Sequence, residues 1–143
     1  MLCNSAVLKV ASRCNLNCSY CYMYNMGDES FKLQPKFMSE EVVTAFIQKV
    51  KNHLLKYDSH HFRFIYHGGE PLLVPPSWYE FFHQEVERIL TPEGIKTDFM
   101  LQTNATLIND DWCQLFKKLK IRPGFSMDGT RKSHDTYRLD HAG

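Results

Sequence analysis

The sequence predicts an α/β fold, a parallel sheet of repeated β-α units, and three observations carry that prediction. Short apolar or aromatic runs recur, each ending in a polar or glycine-containing loop; each loop leads into a segment with helical periodicity; and strand, loop and helix come round three times before a fourth strand begins. Parallel neighbours joined by right-handed helical crossovers satisfy that order. At 143 residues with 43% apolar side chains, the chain has the material for one core and too little for two.

The apolar stretch at 6–11 is the first strand, and it delivers the loop Cys14-Asn15-Leu16-Asn17-Cys18-Ser19-Tyr20-Cys21. Residues 22–30 are aromatic and polar without periodicity and read as an ordered loop. Ser39 then caps a helix: Glu40 and Glu41 suit the positive end of its dipole, and Val42, Val43, Phe46, Ile47, Val50 and Leu54 form one apolar stripe. The second strand, 62–66, is aromatic and β-branched and is cut off sharply by His67-Gly68-Gly69-Glu70-Pro71. Pro75 and Pro76 open the second helix, whose stripe is Trp78, Tyr79, Phe82, Val86, Ile89 and Leu90, closed by Thr91-Pro92-Glu93-Gly94. Residues 97–103 make the third strand and 104–108 its loop. Asn109 caps the third helix, with Trp112, Leu115, Phe116 and Leu119 inward. Cys113, inside that helix, is expected to be a small buried apolar side chain. Residues 122–127 form the fourth strand, and a fourth helix is expected to be still forming where the sequence reaches Gly143.

With 17 basic against 16 acidic residues, the formal charge of +1 leaves no footprint for nucleic acid or an anionic membrane. No apolar run approaches a bilayer span, and the first residues lack the basic-then-apolar pattern of a signal peptide, so a cytoplasmic location is expected. Five cysteines are an odd number, and three of them share one loop. A secreted disulfide framework does not fit that distribution, whereas reduced, metal-binding thiols do.

In parallel α/β sheets chemistry gathers at the carboxyl ends of the strands. There the sequence places Cys14, Cys18 and Cys21; His67 to Pro71; Thr103 and Asn104; and Ser126-Met127-Asp128-Gly129. Three thiolates suit an iron–sulfur cluster with one iron left free of protein ligands. A structural zinc site, which wants a fourth ligand, and three ordinary thiols are the other readings. His67 is equally a site residue or a hydrogen-bonded structural histidine, and Asp128 either orients a substrate or caps the next turn.

The spacing Cys14, Cys18, Cys21, with the aromatic Tyr20 before the last, resembles the cysteine motif of radical S-adenosylmethionine (radical SAM) enzymes. That resemblance implies a [4Fe-4S] cluster on the three thiolates and S-adenosyl-L-methionine chelating the fourth iron. It also implies reductive cleavage to a 5′-deoxyadenosyl radical that takes hydrogen from a substrate. Gly68-Gly69-Glu70-Pro71 resembles the family's GGEP motif, which binds the methionine moiety, against the bland alternative of a strand-to-helix turn. Tyr20 would lie near the adenine or, alternatively, in the core. Gln102, Thr103 and Asn104 are similar to the segment L-Q-T-N-G-T, with Ala105 where glycine is usual. Ser126-Met127-Asp128-Gly129 followed by His134, Asp135 and Arg138 resembles the S-x-D-G…H-D-x-x-R signature of the SPASM-type peptide- and protein-modifying branch. The resemblance gives Ser126 and Arg138 contacts to the cofactor, with a solvent-facing Arg138 as the alternative.

Within that branch the sequence is similar both to cyclophane-forming peptide maturases, which crosslink aromatic rings to unactivated carbons, and to anaerobic sulfatase-maturating enzymes, which oxidise Cys or Ser to formylglycine. The implied partners are a peptide or protein substrate and an electron donor such as flavodoxin or ferredoxin. The resemblance covers 7–138 and only the first half of a partial (β/α)6 TIM-like barrel. It therefore implies a single truncated radical SAM domain over 1–143 that lacks a SPASM segment and a carboxyl-terminal half, with an unpaired edge beyond the fourth strand. A non-catalytic module that only binds a cluster stands as the alternative to an active enzyme.

Overall fold

In the computed structural model, which describes residues 1–142, four strands form one sheet in the order β1-β2-β3-β4, every neighbouring pair parallel. The strands are β1 (Ser5–Ala11), β2 (His61–Gly68), β3 (Lys96–Thr103) and β4 (Ile121–Phe125). Between them run α1 (Glu40–Lys56), α2 (Pro76–Ile89) and α3 (Asp110–Leu119), and a short α4 (Arg131–Tyr137) follows β4. Sequential strand order, with crossovers of one hand, puts the connecting helices on one face and every strand's carboxyl end on one rim.

Alternation along the strands sets which face is covered. Phe62, Phe64 and Tyr66 of β2 and Phe99 and Leu101 of β3 are buried, and they pack with Leu8 and Val10 of β1 into one cluster with the helices. The intervening residues Arg63, Ile65 and His67 and Asp98, Met100 and Gln102 are half-buried on the opposite face, and Val7 is 61% exposed there. Phe64 and Tyr66 lie within the aromatic packing, Phe64 stacked on Phe99 at 5.6 Å and edge-on to Phe82 at 5.2 Å, Tyr66 edge-on to Tyr79 at 5.1 Å. At the amino-terminal end of the open face, Asp98 receives Arg63, His61 and Arg122, which ties β2, β3 and β4 together.

The expected caps are present. Ser39 accepts from Val42 N–H and Asn109 from Trp112 N–H, satisfying amide donors that the first helical turn leaves without partners. Pro76 occupies the first turn of α2, where its missing N–H costs nothing. The buried positions of α1 are Val43, Ile47, Val50 and Leu54, so Phe46 is only partly buried at the margin and Val42, 51% exposed, lies off the stripe.

Three further expectations are corrected. Cys113 is exposed, because it follows Trp112 by one residue, about 100° round the helix, and the core side of α3 is taken by Trp112, Leu115 and Phe116. The fourth strand spans Ile121–Phe125, leaving Ser126 and Met127 in the loop. The fourth helix is complete in seven residues, buries no side chain and ends at Arg138, after which the chain turns back towards the cysteine loop. Gly143, where that helix was expected to be still growing, lies outside the described residues. Among the described residues no helix is long and apolar enough to cross a membrane.

Candidate cofactor site

The loop after β1 is shaped by its own short bonds. Cys21 N–H donates to Cys18 O at 2.9 Å, Asn25 N–H to Cys21 O at 2.9 Å, and the Asn25 side chain to Cys18 O at 2.8 Å. Leu16 N–H approaches the Cys14 sulfur at 3.4 Å. All three thiols are free and partly buried. Burial is the first cause that pushes the Cys14 and Cys18 thiols above their ordinary range; the Arg138 guanidinium opposes it at Cys18.

Two neighbouring strand ends hold this loop. From β2, Gly69 N–H donates to Ala11 O and Glu70 N–H to Arg13 O, both at 2.9 Å. Gly68 has φ +132°, and a Cβ there would meet Ala11 O at 2.3 Å; at Gly69 it would meet Arg13 O at 2.2 Å and the Tyr24 hydroxyl at 2.1 Å. The two glycines are therefore required by close backbone approach. From β3, the Asn104 amide donates to Asn15 at 3.0 Å and lies 3.8 Å from the Cys14 sulfur. Ser126 is held by Gln102 at 2.8 Å through its hydroxyl and donates its N–H to Thr103 O at 2.9 Å.

The fourth loop contributes a connected trio. Tyr20 donates to one Asp128 oxygen at 2.5 Å, Arg138 donates to the other at 2.9 Å, and the guanidinium carbon lies 5.7 Å from the Tyr20 ring centre. The Arg138 hydrogen bond, then that of Tyr20, holds the Asp128 carboxyl below the usual range. Desolvation and then Asp128 push the Tyr20 phenol up to about 12.

These residues enclose a cleft of about 150 Å³. Of the residues predicted from the sequence, Cys14, Cys18, Cys21, Tyr20, Gly68, Gly69, Asn104, Ser126 and Arg138 line it, as do Gln102, Thr103 and His67. Gly68 N–H donates to His67 Nδ1 at 2.7 Å, which leaves Nε2 to carry the proton of the neutral ring. Glu70 and Pro71 are not in the lining. The Glu70 side chain is fully buried, its two oxygens taken up by Leu72 N–H at 2.9 Å, the Thr103 hydroxyl at 2.7 Å and Asn104 N–H at 2.9 Å. It clamps the β2 loop to the β3 loop. Pro71 starts the short 3₁₀ turn Pro71–Leu73, and its carbonyl accepts from the buried Tyr79 at 2.8 Å.

Two features of the site were not assigned from the sequence. Tyr22, Met23 and Tyr24 also line the cleft; the stretch Cys21-Tyr22-Met23-Tyr24 belongs to the resemblance to the peptide-maturing branch, which gives these three no role in the site. The segment after α4 binds the cysteine loop through Asn17 N–H to Leu139 O at 2.8 Å, Ser19 N–H to Tyr137 O at 3.1 Å and a bridge between Leu16 and Asp140. His141 adds a bond to Cys14 O at 3.0 Å.

The donor set fits an iron–sulfur cluster with a small organic ligand. Three free thiols on one loop, lining one cleft, match the thiolate ligation of an iron–sulfur cluster. Gly68 and Gly69 bring backbone to the cleft, and among the described residues the buried Tyr24 hydroxyl and Arg138 Nε have no hydrogen-bond partner. Such buried groups call for a partner.

Comparison with known proteins agrees with this geometry. The profile of the Radical SAM superfamily matches residues 8–140. The chain is 34% identical over 141 residues to a cysteine-type anaerobic sulfatase-maturating enzyme of Clostridium novyi, covering 95% of this chain and 35% of that protein. It is 35% identical over 138 residues to a serine-type anaerobic sulfatase-maturating enzyme of Bacteroides thetaiotaomicron, covering 96% and 32%. Native anSMEcpe with bound AdoMet superposes with a TM-score of 0.80 at 29% identity, over 96% of this chain and 35% of that one. The same protein with AdoMet and the Cp18Cys peptide gives 0.78 at 30% identity, with the same coverages. The chain thus spans about a third of the length of the curated relatives it matches.

Proposed function

The chain belongs to the radical SAM superfamily, and from that premise we propose that it forms the cofactor-binding part of an enzyme that modifies a peptide or protein. Cys14, Cys18 and Cys21 would hold a [4Fe-4S] cluster, and the cleft they share with Gly68, Gly69, Asn104, Ser126 and Arg138 would take S-adenosylmethionine. When bound, this pair supplies reductive cleavage of the sulfonium and so a hydrogen-abstracting species. The rest of the work falls to the chain. The two glycines let the β2 loop pack against the cysteine loop and line the cleft with backbone, Ser126 and Asn104 offer polar groups in it, and Arg138 presents a guanidinium already oriented by Asp128. Tyr20 supplies an aromatic face steadied by the same carboxylate. The three thiols are partly buried, which would limit the access of water to a cluster held there. The same reading places the chain in the cytoplasm, with flavodoxin or ferredoxin as its electron donor.

The observation that carries this reading is the meeting, in one cleft, of three free thiols with Gly68, Gly69, Asn104 and Ser126 from the other three strand ends and Arg138 from the end of α4. The resemblance of both cysteine-type and serine-type sulfatase-maturating enzymes favours oxidation of a Cys or Ser side chain over aromatic crosslinking as the modification. Anaerobic reconstitution with iron and sulfide tests it: the chain should acquire cluster absorbance, bind S-adenosylmethionine and, with reductant, release 5′-deoxyadenosine. The Cys18→Ala variant should do none of these. Cofactor binding without cleavage, even when the chain is supplemented with the remaining length its relatives possess, would instead identify a non-catalytic module. Zinc without iron or sulfide would refute the proposal.

A further inference from the structure

Tyr24 is one of the cleft residues to which the proposed function gives no role. Its ring is fixed edge-on against Phe31 at 4.7 Å, and Phe31 is in turn pinned by Arg13, which donates to its carbonyl and lies 5.5 Å from its ring centre. The hydroxyl is thereby delivered to one place, above the bare Cα of Gly69, where even a methyl group would collide with it. There it is buried and, among the described residues, has no hydrogen-bond partner, not even a cysteine sulfur at the longer distance sulfur allows. A buried hydroxyl held this firmly without an acceptor is costly, at about 1–3 kcal/mol. The side chain faces a cavity that three thiols line, and an acceptor placed there satisfies it.

We infer that the Tyr24 hydroxyl donates a hydrogen bond to a sulfur of the cluster held by Cys14, Cys18 and Cys21, and so raises its reduction potential. The inference rests on the cluster reading above. Hydrogen bonds to the sulfurs are among the determinants of cluster potential, and a donor favours the more negative, reduced state. Tyr24 would then set how readily the cluster accepts its electron, a property separate from holding the iron.

The test compares the reconstituted wild-type chain with Tyr24→Phe, which keeps the ring against Phe31. Iron and sulfide content should be equal. The midpoint potential, followed by electron paramagnetic resonance, should move negative by up to roughly tenfold in the oxidised-to-reduced ratio, about 59 mV for one electron. Double-resonance spectra of the reduced wild type should lose an exchangeable proton coupling in D₂O, and Tyr24→Phe should lack that coupling in ordinary water. A fluorotyrosine at position 24, with a more acidic hydroxyl, should move the potential positive, and it decides the matter if Tyr24→Phe fails to hold a cluster. An unmoved potential in these variants overturns the inference. So does an unmoved potential with weakened S-adenosylmethionine binding, which would assign the hydroxyl to the methionine moiety. A wild-type chain that takes up no iron and sulfide defeats the cluster reading itself, which is a separate failure.

Discussion

Ala105 has φ +66°, in the left-handed region where a side chain is disfavoured, and the neighbouring Thr103 hydroxyl holds it there by accepting its N–H at 3.0 Å. The same hydroxyl donates to Glu70, so the turn is part of the clamp between loops. Ala105→Gly should relieve about 1–2 kcal/mol of left-handed strain and lose part of it to a freer unfolded chain. A net gain of about 0.5–1 kcal/mol is expected in urea unfolding, and an unchanged or lower midpoint would show the strain to be absent. Glu70→Gln acts in the opposite direction. An amide has one acceptor oxygen where three donors converge, and its own NH₂ would face one of them, so a loss of about 2–4 kcal/mol is expected in the same assay. At this scale the thiols were legible, because ligand type and spacing are local properties of the chain. The role of Glu70 was not: its partners Thr103 and Asn104 lie more than thirty residues away, and only the fold brings them together.

The elements were the most readable level, since periodicity and capping are decided within a dozen residues. The bounds moved by a residue or two, and the errors fell at the margins of helices, at Val42 and Cys113, where a shift of one position turns a side chain from core to solvent. What periodicity could not show is how helices are fastened to one another. Glu85 of α2 accepts from Thr44 of α1 at 2.7 Å and from Arg88 through two bonds of 2.7 Å. Arg88, then Thr44, holds the Glu85 carboxyl down from 4.5 to about 2. A carboxyl depressed in the folded state contributes stability that is fully present above its unfolded value of 4.5 and is lost as the pH falls towards 2. Glu85→Gln should therefore destabilise by about 1–2 kcal/mol at neutral pH, a figure that allows for the solvent exposure of Arg88. The difference from wild type should vanish across that acid window when urea midpoints are measured at several pH values. A gap that persists at the lowest pH would place the effect in packing instead.

Across the whole molecule, stability and site assembly are drawn from different parts of the chain. The buried core runs from Leu8 to Ile121, and α4 adds no buried residue to it. The cysteine loop, by contrast, is closed by residues 137–141, which supply its Asn17 and Ser19 bonds and the guanidinium beside Tyr20. The parallel order of the sheet was legible from three repeats of one unit. This return of the chain to its first loop was not, because irregular backbone pairing carries no periodic signature. Removing residues 131–143 separates the two contributions. Because no core residue is lost and the Arg138–Asp128 pair is the least exposed contact removed, the thermal midpoint should fall by the equivalent of about 1–2 kcal/mol. Because two backbone hydrogen bonds of roughly 0.5–1.5 kcal/mol each no longer close the loop, the reconstituted cluster should lose iron to a chelator roughly tenfold faster. Iron loss at the wild-type rate, or collapse of the fold, would show that the segment does not act on the loop independently of the core.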